Sequence, residues 1–115
     1  MKRRLCDTRM GQVHCVEAGA GAGTPLLLMH QTPRSVDEFA EVIPILARHR
    51  RVIAVDMPGY GCSDPVSGEP SIGDYAAATF DVLDALGVER VVAVGHHTGG
   101  FLAIEMAAIA PARIE

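Results

Sequence analysis

This sequence predicts an α/β fold: a mostly parallel sheet preceded by an antiparallel hairpin. Three observations carry that prediction. Continuous apolar runs at residues 25–29 (PLLLM), 52–55 (VIAV) and 91–94 (VVAV) have the pattern of strands covered on both faces. Segments with helical periodicity alternate with these runs, the order that places parallel strands side by side through right-handed crossovers. The third is Gly95-His96-His97-Thr98-Gly99-Gly100, which turns the last run straight into an apolar helical segment. The 115 residues suffice for one small domain, taken as 1–115, and 49% hydrophobic against 21% charged residues is the balance of a packed core.

Residues 3–8 and 12–18 flank Arg9-Met10-Gly11, and Val13, Cys15 and Glu17 alternate with His14, Val16 and Ala18, which predicts two antiparallel strands with Gly11 in the turn. The loop at 19–24, GAGAGT, is rich in glycine but opens a strand instead of a helix, and no Gly-Lys-Ser/Thr follows it. It therefore reads as a linker and not as a phosphate loop. After the run at 25–29 comes the loop His30-Gln31-Thr32-Pro33-Arg34. Ser35 and Glu38 have capping-box spacing. Phe39, Val42, Ile43, Leu46 and Ala47 then form one apolar helical face, with Pro44 as a kink point. The helix closes on Arg48-His49-Arg50-Arg51, positive charge at its negative end.

The run at 52–55 leads into Asp56-Met57-Pro58-Gly59-Tyr60-Gly61-Cys62-Ser63-Asp64-Pro65, a long loop of turn-forming residues. Ser71-Ile72-Gly73-Asp74 is a second capping signal. Tyr75, Ala76, Thr79, Leu83 and Leu86 make its apolar face, and Gly87 stops it. Residues 101–110 are apolar nearly all round, as in a helix buried against a sheet, and Pro111 ends them.

Composition excludes several classes. A net charge of −4 argues against a nucleic-acid surface or a polybasic membrane patch. No apolar run follows the basic MKRR start, so a secretory signal is not expected, and the apolar stretch at 101–112 is too short to span a bilayer and contains Glu105. Cys6, Cys15 and Cys62 are scattered and odd in number, the pattern of reduced cytoplasmic thiols.

The corner at 95–100 carries the chemistry. A strand that turns at once into a helix needs small residues two places before and two places after the central position. Gly95 and Gly99 meet that need around His97, and Gly100 is expected to let the helix approach the sheet. A ring at a helix start is biased toward its neutral form, and a neutral imidazole serves as nucleophile or general base. The N–H of Thr98 would face the same space as an oxyanion donor.

This corner and the D-x-P-G-aromatic-G-x-S loop at 56–63 make the sequence resemble the α/β-hydrolase family, whose elbow usually reads G-x-S-x-G. The departure is His97 in the nucleophile's place. The resemblance implies a partial doubly wound, mostly parallel sheet of α/β-hydrolase type with an N-terminal antiparallel hairpin. It also implies a second oxyanion donor in the loop after the third strand, where H-G-x-P is replaced by His30-Gln31-Thr32-Pro33; Thr32 is the residue left to donate. His30, Gln31, Arg34 and His96 are the accompanying candidates for substrate contact. The family continues with strands bearing a catalytic acid and a histidine, so the chain reads as the N-terminal half of the domain, inactive alone, with an exposed sheet edge open to self-association.

Three readings follow. The first is a hydrolase of small ester-like or related carbonyl substrates working through His97, with a small molecule as its partner and no cofactor. The second is a binding or interaction protein that keeps the fold without the chemistry. The third, a metal held by His30, Asp56 and His97 or His96, conflicts with the elbow context, and no metal is expected. Asp56 reads equally as a loop anchor, and Cys62 as a plain loop thiol.

Overall fold

The computed structural model describes residues 1–115. Strand β1 (Lys2–Thr8) pairs antiparallel with β2 (Gly11–Ala18), from Lys2 opposite Glu17 to Thr8 opposite Gly11. Gly11 has φ +94°, the left-handed conformation this tight turn requires. β3 (Leu26–Met29), β4 (Val52–Val55) and β5 (Val92–Gly95) are parallel to one another, and β4 also pairs antiparallel with β2. The sheet order is β1-β2-β4-β3-β5.

The apolar runs are continuous because each face of the sheet has its own core. Leu27, Met29, Ile53 and Val55 join a cluster with Leu83, Leu102 and Met106 from the helices on one side. Leu28, Val52 and Ala54 point the opposite way and pack with Val16, Phe39 and Ile43. Successive residues of a strand alternate faces, so both sets must be apolar.

Helix α2 (Ile72–Ala85) begins with the predicted capping box: Ser71 N–H donates to Asp74 Oδ2 at 2.8 Å and Asp74 N–H to Ser71 Oγ at 3.1 Å. Gly87, at φ +69°, ends it. Ala76, Thr79 and Leu83 are buried as expected, and Ala78, Phe80 and Val82 widen the buried face.

Three expectations are corrected. The helix predicted from Ser35 is two short pieces, a 3₁₀ turn at Val36–Phe39 and α1 (Ile43–Leu46). Pro44 lacks an N–H and its ring obstructs the preceding turn, so it starts α1 and cannot sit inside a longer helix. The Ser35 cap accepts from Asp37 N–H at 3.3 Å, but Glu38 turns away from it. Second, β5 lies at the sheet margin and is not covered on both faces: Val91 is fully buried, whereas Val94 is 44% exposed. Beyond it, only a parallel bridge between Val91 and Ile114 touches its outer edge. Third, α3 (Thr98–Ile109) buries Gly99, Leu102 and Met106 against the sheet and α2 but leaves Phe101 65% and Ile104 70% exposed. No helix is long and apolar enough to cross a membrane.

Candidate active site

The corner between β5 and α3 is sharp. His97 has φ +54° and ψ −112°, and it is the one non-glycine residue with positive φ. Such a conformation costs an L-residue roughly 1–3 kcal/mol and persists only where its surroundings enforce it. Here close backbone approach enforces it. A Cβ on Gly95 would overlap the Gly99 carbonyl, and a Cβ on Gly99 would overlap the Met29 carbonyl of β3. Gly100, expected to permit the helix–sheet approach, does not: a Cβ there would meet nothing nearer than the Gly95 carbonyl at 3.5 Å, an ordinary contact. The close approach falls to Gly99.

The His97 ring is exposed on this corner, with Nδ1 3.5 Å from Thr98 Oγ1. Thr98 Oγ1 also lies 3.0 Å from Thr32 Oγ1, which ties the loop after β3 to the start of α3. The N–H groups of Gly99 and Gly100 donate to the carbonyls of His96 and His97, at 3.0 and 2.8 Å. Those of Thr98 and Thr32 donate to no backbone carbonyl outside the regular helix and strand ladders. Thr32 and Thr98, with Met57, Tyr60, Ile72 and Tyr75, line a cleft of about 190 Å³. His97, the neighbour of Thr98 in sequence, is not among the residues that wall it. A wider groove of about 580 Å³, walled by Arg9, Glu69 and Asp74 among others, contains no residue of the corner.

The remaining candidates take different places. His96 turns outward and pairs with Glu38, Nδ1 to Oε2 at 2.7 Å. The other oxygen of Glu38 accepts the Gln31 N–H at 3.1 Å. Glu38, which sequence spacing assigned to a helix cap, thus clamps the loop after β3 to the elbow. Arg34 is exposed, and its backbone N–H donates to the Gln31 carbonyl at 2.9 Å. His30 does not serve as a substrate contact. It is fully buried; Nδ1–H donates to the Gln31 carbonyl at 2.7 Å and Nε2 accepts the Met57 N–H at 2.9 Å. Both nitrogens are committed, and its ring meets Tyr60 edge-on at 5.8 Å. His30 therefore positions the cleft wall from behind.

Asp56 is a loop anchor. Its Oδ1 accepts the Val36 N–H at 2.8 Å, and its Oδ2 accepts the Cys62 N–H and faces His14 Nδ1, both at 2.9 Å. Gly61, at φ +53°, is required here because a Cβ would overlap the Asp56 carboxylate. With the His30 nitrogens and the Asp56 oxygens so engaged, the set His30, Asp56 and His97 is not free to hold a metal. Sequence reasoning missed Glu38, His14, Ile72 and Tyr75, whose roles depend on contacts between distant segments. Tyr60 carried a signal as the aromatic residue of the 56–63 loop.

Comparison with known proteins identifies the family and the fold. Residues 24–115 match the sequence model of the alpha/beta hydrolase fold family. Fluoroacetate dehalogenase of a Burkholderia species is 36% identical over 104 residues, 86% of this chain and 34% of that protein. The 2-hydroxy-6-oxo-2,4-heptadienoate hydrolase of Pseudomonas putida is 39% identical over 98 residues, 82% of this chain and 36% of that protein. The chain thus spans about a third of the length of these curated relatives. Among solved structures, Cfl2 of Burkholderia cenocepacia superposes with a TM-score of 0.92 at 28% identity, over 97% of this chain and 38% of that one. An epoxide hydrolase from an endophytic Streptomyces gives 0.84 at 32% identity, over 98% and 34%. With its strand order and this match over residues 24–115, the chain belongs to the alpha/beta hydrolase fold family.

Proposed function

We propose that the chain supplies the elbow and oxyanion site of an enzyme that cleaves small ester-like or related carbonyl compounds. One observation carries this reading: a strained, exposed histidine at the point where the family places its nucleophile. Strain of this kind has no packing benefit to offset it, which is why it gathers at functional sites. A ring nitrogen of His97 attacks the carbonyl carbon. The oxyanion that forms meets the amides of Thr98 and Thr32; as it collapses the ester C–O bond breaks, the alcohol leaves with the ring's N–H proton, and water then hydrolyses the acyl-imidazole to the acid and the free ring. The cleft suits a small, largely apolar substrate, since Met57, Ile72 and the rings of Tyr60 and Tyr75 surround two threonines. The names of the relatives, two of them a hydrolase and a dehalogenase of small organic acids, support hydrolytic chemistry.

The test is turnover of a chromogenic acetate ester by the complete protein. His97→Ala should lower kcat/KM by about a hundredfold or more. An unchanged rate removes His97 from the mechanism.

A second reading, a binding protein that has lost turnover, is favoured by one feature: the His97 ring has no carboxylate partner, only the Thr98 hydroxyl at 3.5 Å. It predicts no ester cleavage by the complete protein and unchanged ligand affinity in His97→Ala. We place the protein in the cytoplasm on its three free thiols, and a disulfide found in protein isolated under thiol-blocking conditions would contradict that. The open edge of β5 and the bare face of α3 lead us to propose self-association of the 115-residue chain; a monomer by sedimentation at micromolar concentration would refute it.

A further inference from the structure

The sheet has a second margin, on the side away from the elbow. There β1 (Lys2–Thr8) pairs with β2 alone. The carbonyls of Gln12 and His14 accept from the N–H groups of Asp64 and Asp56, so these residues of β2 turn their backbone groups away from β1. Direction alternates along a strand. Val13, Cys15 and Glu17 therefore turn theirs toward β1 and bond with their partners Cys6, Arg4 and Lys2. Arg3, Leu5 and Asp7 are left with N–H and C=O groups that point out of the sheet. Their side chains share one face of β1, and all three are exposed, Leu5 by 58%. Arg3 has no carboxylate partner, and Asp7 accepts only from the Gln12 side-chain amide, at 3.2 Å.

The order Arg3, Leu5, Asp7 is its own complement under a two-fold axis. Let a second β1 lie antiparallel to the first, with the axis through Leu5. Arg3 then stands opposite Asp7 of the second copy, Leu5 opposite Leu5, and Asp7 opposite Arg3. These are the residues whose backbone groups point outward, so each facing pair exchanges both of its hydrogen bonds. Between them Lys2 faces Thr8 and Arg4 faces Cys6, with no like charges opposed. An axis through Arg4 would set that arginine against itself. An axis through Cys6 would set Leu5 against Asp7 and leave Arg3 beyond the paired segment. Charges on an edge strand ordinarily keep it from pairing, but in the Leu5 register they attract. We infer that β1 is the interface of a symmetric dimer whose partner is a second copy of this chain, the two sheets joining edge to edge. The contact is one strand wide, so the dimer is a weak one that forms in the micromolar range. It is separate from the open edge of β5, which lies at the opposite margin.

Amide hydrogen exchange of the native chain tests this. The N–H groups of Arg3, Leu5 and Asp7 should exchange about fivefold more slowly at about 300 µM than at about 1 µM. In sedimentation, Arg3→Asp or Asp7→Arg alone should weaken dimerisation about tenfold or more, because each opposes like charges twice across the axis. Combining the two reversals restores the attraction and should return the dissociation constant to within about threefold of the native value. Association through β5 would leave these amides unprotected and would ignore the charges at residues 3 and 7. Exchange from β1 that does not depend on concentration, or a double reversal that dimerises no better than either single one, overturns the proposal. The exchange comparison needs no variant, so it decides the matter even where a reversal fails to fold.

Discussion

Replacing His97 by glycine should stabilise the protein, whereas replacing it by alanine should not. The residue sits at φ +54° and ψ −112°, and its ring is exposed with a single long contact, Nδ1 to Thr98 Oγ1 at 3.5 Å. Alanine removes the ring but keeps a Cβ, so the backbone strain of roughly 1–3 kcal/mol remains. Glycine relieves that strain and costs about 0.5–1 kcal/mol through its freer unfolded chain. The difference between the two variants should therefore be about 1 kcal/mol in favour of glycine. With a urea slope of about 1–3 kcal/mol/M, the glycine midpoint should lie about 0.3–1 M above that of alanine. Comparing the two variants with each other cancels the lost ring contact. Coincident midpoints, or a lower one for glycine, would show that the corner carries no strain, and the case for a functional residue there would lose its basis.

The two glycines beyond the corner should behave oppositely. Gly99→Ala forces a Cβ into the Met29 carbonyl, backbone against backbone, and should cost about 3 kcal/mol or prevent folding. Gly100→Ala, with its nearest neighbour at 3.5 Å and a place in the first turn of α3, should gain about 0.5–1 kcal/mol. Thermal midpoints separate the two, and equal losses would mean that the helix lies against the sheet differently. Glu17 gives a pH-dependent prediction. Burial pushes its carboxyl up, but Arg51 and then Arg4 outweigh burial and hold it below the ordinary range. Its stabilising contribution is present above the unfolded carboxyl's pKa and is lost as pH falls through the lowered folded value. Glu17→Gln should therefore cost about 1–2 kcal/mol at neutral pH, and the cost should fade on acidification. An equal cost in neutral and acidic urea titrations would contradict the pairing.

Much of this fold was legible from neighbouring residues. The three apolar runs marked β3, β4 and β5 to within a residue; β3 and β4 are apolar throughout because both their faces are covered, whereas β5 is apolar but only partly covered. Ser71 and Asp74 marked the start of α2, since a capping box is made by residues three apart. Gly95 and Gly99 marked the elbow; the demand on Gly95 comes from the Gly99 carbonyl within five residues, whereas that on Gly99 comes from the Met29 carbonyl of β3. What failed was set by longer reach. Glu38 had the spacing of a cap, yet its carboxylate serves Gln31 and His96. His30 looked open for substrate, yet Met57 and Gln31 use both of its nitrogens. Helix α3 looked buried all round, yet only the side facing β5, β3 and α2 is covered. Local pattern fixes backbone conformation because its forces act between residues a few places apart. Which polar side chains meet depends on strand order, which brings His14, Asp56 and Cys62 together from three segments; no spacing along the chain encodes that encounter.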